Sequence, residues 1–381
     1  MKNLFSRKFR TSISRSLTNF RGWKTNRKIV VIESDDWGSI RMSSKESLQT
    51  LKRAGLKVEN CHYVQNDALA SEDDLERLFE VLMAYEDGNG QYPVITANAI
   101  MANPDFEKIK ESGFNEYHFE SFKTTLSRYP NHKNSFKIWG DGMSNGVFYP
   151  QFHGREHLQV QRWMNQIRNQ SSETRLAFDL GVFGLSTTVT SENRKSYMAA
   201  YDWEDVMDKK FIFQAVDEGL DIFKQIFGFQ SYSSIAPNYV WHEELEEIML
   251  EKGVHVIQGS SVQKSPEIGV TSFRKIRHYT GQENKNGQKY LVRNCKFEPS
   301  SDRSIDWVSN CLRDIELAFK WKKPAIIEMH RVNFVGFINE KNRDLNLILL
   351  NKLLSEINRR WPEVEFMSSE DLGRLILENH E

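Results

Sequence analysis

The feature that most restricts the fold of this chain is an alternation of short apolar runs with amphipathic ones, in which the apolar runs end on ionisable or amide side chains. Residues 28–33 read as a buried strand that runs straight into Ser34-Asp35-Asp36-Trp37-Gly38. Further strands are expected at 92–97, 146–152, 228–235, 253–258, 324–329 and 364–367. Helical spacing covers 44–54, 71–85, 158–168, 242–252, 306–321 and 344–359. Alternation of this kind without an internal repeat predicts an α/β fold on a mostly parallel sheet, open or closed as a barrel. A length of 381 residues leaves room for two domains. No Pro/Gly/Ser-rich linker divides the chain, so residues 28–381 are expected to form one domain, with insertions near 170–210 and 260–300.

Composition narrows the class. The sequence is 39% hydrophobic and 12% aromatic, enough for a sizeable core, which excludes a disordered chain. No apolar run is long enough to span a bilayer. Cys61, Cys295 and Cys311 are too few for a disulfide framework or a cysteine zinc site, which favours a reducing, cytoplasmic setting. The net charge of −1 hides an asymmetry: nine of the 51 Lys+Arg and none of the 52 Asp+Glu lie in residues 1–28, so the rest of the chain carries −10. Phe5, Phe9, Ile13, Leu17 and Phe20 share one helical face of this basic arm, residues 1–27. Such a helix packs on its own domain, or lies on an anionic membrane surface through residues 1–24 at the inner membrane face. Nucleic acid is a poor partner for the acidic body.

The strand ends carry the chemistry. Asp35-Asp36, His153 and His157, Asn238 and His330 each follow an expected strand, and the carboxyl ends of parallel strands open on one face. If a helix starts at His153, the spacing of four puts both imidazoles on one side. Two imidazoles with the Asp36 carboxylate suit a borderline-soft divalent metal, zinc above others, with positions left for water and substrate. Asp35 is then a candidate general base and His330 a candidate general acid. The alternatives are a helix cap for Asp35-Asp36, surface or capping histidines at 153 and 157, and a satisfied core histidine at 330. Trp37, Asn98, Asn238 and Tyr239, with Trp139 and Asn333, are candidates to line a sugar site.

In their order, these residues resemble the polysaccharide deacetylase, or NodB-homology, carbohydrate esterases. Ser34-Asp35-Asp36-Trp37-Gly38 is similar to the family's Asp-Asp motif, His153–His157 to its His-(Ser/Thr)-x-x-His motif, Ala236-Pro237-Asn238-Tyr239 to its Arg-x-Pro-Tyr motif, and Glu328-Met329-His330 to its late Leu-x-His. The resemblance spans about residues 28–375 and implies a distorted (β/α) barrel with inserted loops. It also implies Asp35 as base, Asp36, His153 and His157 as metal ligands, and His330 as acid. Three departures stand out. Gly154 replaces the motif's hydroxyl residue. Ile235 stands where the base-orienting Arg is expected, with Arg41, Arg277 or Arg331 as possible substitutes. The Asp-x-x-Asp-Trp motif that tunes the acid is matched only loosely by Asp302 and Asp306-Trp307.

The expected function is metal-dependent hydrolysis of an acetyl group, N-acetyl before O-acetyl, from a sugar or glycan. The missing Arg motivates an alternative, a catalytically degenerate member that binds glycan or a partner. Two His and one carboxylate also suit non-haem iron. The long sequence separation of the carboxylate from the histidines ranks that reading last.

Overall fold

The computed structural model describes residues 18–378. Its strands are β1 (Lys28–Trp37), β2 (Ile95–Ala99), β3 (Ala102–Pro104), β4 (Phe119–Ser121), β5 (Phe148–Phe152), β6 (Ser233–Ile235), β7 (Val256–Gly259), β8 (Val262–Ser265), β9 (Arg274–Arg277), β10 (Lys289–Val292), β11 (Cys295–Lys296), β12 (Ala325–His330) and β13 (Val364–Met367). Nine of them form one sheet in the order β10-β7-β6-β5-β2-β1-β12-β11, with β13 also on β1, and every pair is parallel. The pairs β3–β4 and β8–β9 are separate antiparallel ribbons.

The two strands at the ends of that order are consecutive in the chain. Between β10 and β11 lie Arg293 and Asn294, whose N–H groups donate to Gly259 O (2.9 Å) and Ile326 O (3.1 Å). Residues 289–296 therefore pair first with β7 and then with β12, and the sheet returns on itself as a distorted barrel. Most expected helices are present within a few residues, among them Glu72–Met83, Val160–Arg168, Trp307–Lys320 and Glu340–Arg360. The helix Val206–Phe227 was not expected, because its Phe211-Ile212-Phe213 run blurs the 3.6-residue period.

Strand periodicity sorts the barrel's two faces. Val30 and Ile32 face the surrounding helices, in one cluster with Leu75 and Leu78. Ile29 and Val31 alternate with them, in a second cluster with Val256, Leu291, Ile326, Leu372 and Ile376. Further along β1, Glu33 and Asp35 continue this second row. Buried polar groups there bond one another: Ser369 Oγ donates to Glu33 (2.8 Å), Gln258 Nε2 donates to Ser233 Oγ (2.7 Å), and Ser233 N and Oγ donate to Gln151 Oε1.

Three expectations need correction. Residues 260–300 are not simply an inserted loop: only the β8–β9 hairpin stands apart, and β10 and β11 complete the sheet. No helix starts at His153; residues 153–159 are irregular, and the helix begins at Val160 with Gln159 as its N-cap. The Asp-Asp pair caps no helix but lies inside β1. Residues 1–17 of the basic arm lie outside the described residues. Residues 18–27 are docked on the body: Trp23 N donates to Thr280 O (2.8 Å), and Lys323 Nζ donates to Gly22 O and Trp23 O. Among the described residues no helix is long and apolar enough to cross a membrane.

Candidate metal and catalytic site

Adjacent residues of a regular strand point to opposite faces, so Asp35 and Asp36 should part company. They do not, because β1 is bulged. Its pairing with β2 shifts between Ser34 and Trp37, and Asp36 has φ of +77°. A bulge re-aims a side chain, and this one turns Asp36 toward the same mouth as Asp35. Gly38 completes the bend (φ +83°), where a Cβ would stand 2.6 Å from Ile100 O.

Asp36 meets His153 and His157 there. Its Oδ1 lies 3.6 Å from His153 Nε2 and 3.3 Å from His157 Nε2, and all three side chains are buried. His153 Nδ1 lies 2.9 Å from Ile235 O. As donor to that carbonyl, it leaves Nε2 with a lone pair aimed at Asp36. Asp36 Oδ1 and His153 Nε2 have no hydrogen-bond partner. Buried unpartnered acceptors are costly, and two facing each other across a gap fit a cation between them. Burial pushes the His157 imidazole down to about 3, against the Asp36 carboxylate, so it stands neutral as a ligand must. Burial opposes ionisation of Asp36, but Arg41, donating to Oδ2 (3.0 Å), and His157 hold it well below the usual carboxylate range.

Gly154 now has a structural reason. Its φ is +123°, and a Cβ would lie 3.1 Å from Glu156 O and 3.2 Å from Tyr201 Oη. A serine or threonine would be strained in this loop.

Asp35 and His330 flank the trio. Arg293 grips Asp35 with both Nη atoms (2.8 and 2.6 Å) and donates its Nε to Glu33 (2.6 Å); Asn98 Nδ2 donates to Asp35 Oδ1 (2.7 Å). Burial raises the Asp35 carboxyl, but Arg293 outweighs it and holds Asp35 below its ordinary value. His330 Nε2 lies 3.7 Å from Asp35 Oδ2, and its Nδ1 lies 2.5 Å from Glu298 Oε2. Burial works against the imidazolium, yet Glu298 raises His330 to about 9. Asn333 steadies this pair by donating to Glu298 Oε1 (2.8 Å) and His330 O (2.9 Å). Asn238 and Tyr239, consecutive residues at φ +56° and +57°, hold the opposite wall in a conformation that non-glycine residues rarely adopt.

Asp35, Asp36, His153, His157, Asn238, Tyr239 and His330 line one cavity of about 370 Å³. Four expected substrate contacts fall elsewhere, Trp139 into the core at 2% exposure and Asn333 onto Glu298 and the His330 carbonyl among them. Trp37 is a core residue at 1% exposure, packed edge-on to Phe148 and Trp139. Asn98 is buried behind Asp35 and positions it instead of lining the cavity. The arginine that holds Asp35 is Arg293, not Arg41, Arg277 or Arg331: Arg41 serves Asp36, Arg331 binds Asp67 (3.0 Å), and Arg277 is exposed on β9. Asp302 and Asp306 do not reach His330 either; the first bonds Ser304 and the second caps the helix Trp307–Lys320. Glu298 takes that place. Arg293 and Glu298 were hidden in the stretch read as an inserted loop. The signal that finds Arg293 is the one that found Asp35: Tyr290-Leu291-Val292 is an apolar run that ends on a charge.

No protein-family model matches the sequence, and no curated protein matches it. Solved structures do. A protein of Pseudomonas aeruginosa PAO1, described as a probable polysaccharide deacetylase, aligns over 93% of this chain and 93% of its own at 9% identity, with a TM-score of 0.46. Puue allantoinase aligns over 94% and 93% at 10% identity and a TM-score of 0.43. 4-Alpha-glucanotransferase from Thermococcus litoralis aligns over 92% of this chain at 9% identity and a TM-score of 0.42, and the chain spans 40% of its length. Others of the matching solved structures are also described as polysaccharide deacetylases.

Proposed function

We propose that the protein is a metal-dependent amide hydrolase that removes the acetyl group from an N-acetylated sugar. The observation that carries this is the Asp36–His153–His157 trio, with Asp36 Oδ1 and His153 Nε2 left without hydrogen-bond partners, flanked by two ion pairs of opposite sense, Asp35–Arg293 and His330–Glu298. The first keeps a carboxylate ionised as proton acceptor. The second keeps an imidazole protonated as donor. A group pair whose environments drive its members apart in this way is how one site runs base and acid chemistry together.

Asp36, His153 and His157 would hold the cation, and their mixed N/O set favours zinc. When bound, it supplies Lewis-acid polarisation of the acetyl carbonyl and lowers the pKa of water. Asp35 takes a proton from the attacking water; Arg293 and Asn98 fix both its oxygens, so it needs no reorientation. His330 gives a proton to the leaving nitrogen from Nε2, because Glu298 engages Nδ1. Acetate and a free amine result. Arg293 fills the role whose vacancy motivated a binding-only reading.

The test is acetate release from N- and O-acetylated sugars by zinc-loaded protein. Asp35→Asn and His330→Ala are each expected to abolish turnover while zinc stays bound. Full activity in either variant refutes the roles. The basic arm suggests that the reaction takes place in the cytoplasm, at the inner membrane face. Equal liposome binding with and without residues 1–24 overturns that part.

A further inference from the structure

The cavity is bordered by the β8–β9 hairpin, which carries more positive charge than its neighbours pair. In its antiparallel ladder Lys264 stands opposite Lys275, and Val262 opposite Arg277. Opposite residues, and residues two apart along a strand, share a face, so Lys264, Lys275 and Arg277 lie together on one side. The other side is satisfied: Arg274 donates to Glu243 and Glu267, and Gln263 Nε2 donates to Trp241 O. Like charges directly opposite destabilise a ladder, yet among the described residues no carboxylate pairs with Lys264, Lys275 or Arg277. Lys296, on another wall of the same cavity, does have a partner, Glu328 at 3.6 Å. Lys264 ties the cationic face to the site. Its side chain lines the cavity, and its Nζ lies 3.4 Å from the carbonyl of Asn238, itself a lining residue. Lys275 and Arg277 continue the face outward, both exposed.

We propose that this hairpin face binds an anionic group, a phosphate or a carboxylate, carried by the sugar whose acetamido group reaches the metal site. The substrate class is then an anionic acetamido sugar, not a neutral polymer. The geometry suits it: Lys264 holds the oxyanion at the cavity mouth, and Lys275 and the Arg277 fork add charge-assisted hydrogen bonds from the solvent side. The acetamido half of this statement rests on the deacetylase reading above; the charge arrangement does not.

The experiment uses zinc-loaded full-length protein and three probes: an acetamido sugar carrying a phosphate, the same sugar carrying a carboxylate, and the uncharged sugar. Binding is measured by calorimetry and turnover by acetate release. At least one charged probe is expected to bind about tenfold tighter than the uncharged one. That advantage should shrink with added salt, and it should collapse in the Lys264→Ala/Lys275→Ala/Arg277→Ala triple variant. Which probe gains tells phosphate from carboxylate. Equal binding of all three probes overturns the proposal, as does an advantage that survives the triple substitution. Salt dependence in the unaltered protein gives an independent check if the variant folds poorly. Charge-dependent binding without acetate release refutes the deacetylase reading and leaves the anion site standing. Acetate release without charge discrimination does the reverse.

Discussion

Glu298→Gln isolates the ion pair that keeps His330 protonated. The substitution is nearly isosteric, and the amide oxygen it introduces can still accept from His330 Nδ1, so the change removes charge more than shape. In the native protein the folded pKa of His330 is raised from 6.5 to about 9, a rise worth about 3 kcal/mol. A raised pKa stabilises the fold in full below pH 6.5, and the benefit disappears as pH rises through 9. Without the Glu298 charge the largest counterweight to burial is gone and the His330 pKa falls, with Asp35 and Asp36 still holding it up in part. Urea unfolding should therefore show the variant less stable at pH 6, by up to about 3 kcal/mol. The gap should close by pH 10, where His330 is neutral in both. For kcat/KM, the alkaline limb should move to lower pH than in the native protein. At pH 8 the protonated fraction then drops, and the rate with it, about tenfold for each unit by which the limb falls below 8. An alkaline limb unmoved by the substitution, or a stability difference independent of pH, would falsify the assignment of His330 as a Glu298-held acid.

Three further outcomes follow from the site. Arg293→Ala strands Glu33 and Asp35 together in the barrel, so it should cost about 3–5 kcal/mol in urea unfolding. It should also shift the acid limb of activity upward, because burial then governs Asp35; an unmoved acid limb counts against Arg293 as the residue that holds the base. Zinc at a hundredfold excess over its Kd should stabilise the native chain by about 2.7 kcal/mol, seen as a rise in Tm that a chelator reverses. Asp36→Asn and His157→Ala should abolish that rise, and a rise that persists in both places the metal elsewhere. Gly154→Ser restores the residue type of the motif that the sequence resembles, but at φ +123° it should lower stability by about 1–3 kcal/mol; unchanged thermal unfolding refutes the steric account.

Much of the site was legible because parallel strands turn sequence position into spatial position. An apolar run that ends on Asp35-Asp36, on His153 or on His330 carries its own signal, since such a side chain is costly inside and belongs at the open end of a strand. The roles within the pairs were less legible. Asp36 and Asp35 are neighbours in sequence, and only the bulge in β1 explains why both face the cavity. Trp37, read as a sugar contact, went to the core because the next strand position returns to the helix-facing side.

The sequence by itself determined the α/β class, the parallel strand order's open face, and the identity of five ionisable groups, because each follows from local periodicity and its interruption. The tertiary structure alone decided which charges complete the chemistry. Arg293 meets Asp35 across a separation of 258 residues, and Glu298 meets His330 across 32. Neither contact leaves a local trace, because both depend on residues 289–296 closing the barrel between β7 and β12. Charge pairing at the mouth is a property of that closure, and no window of sequence contains it.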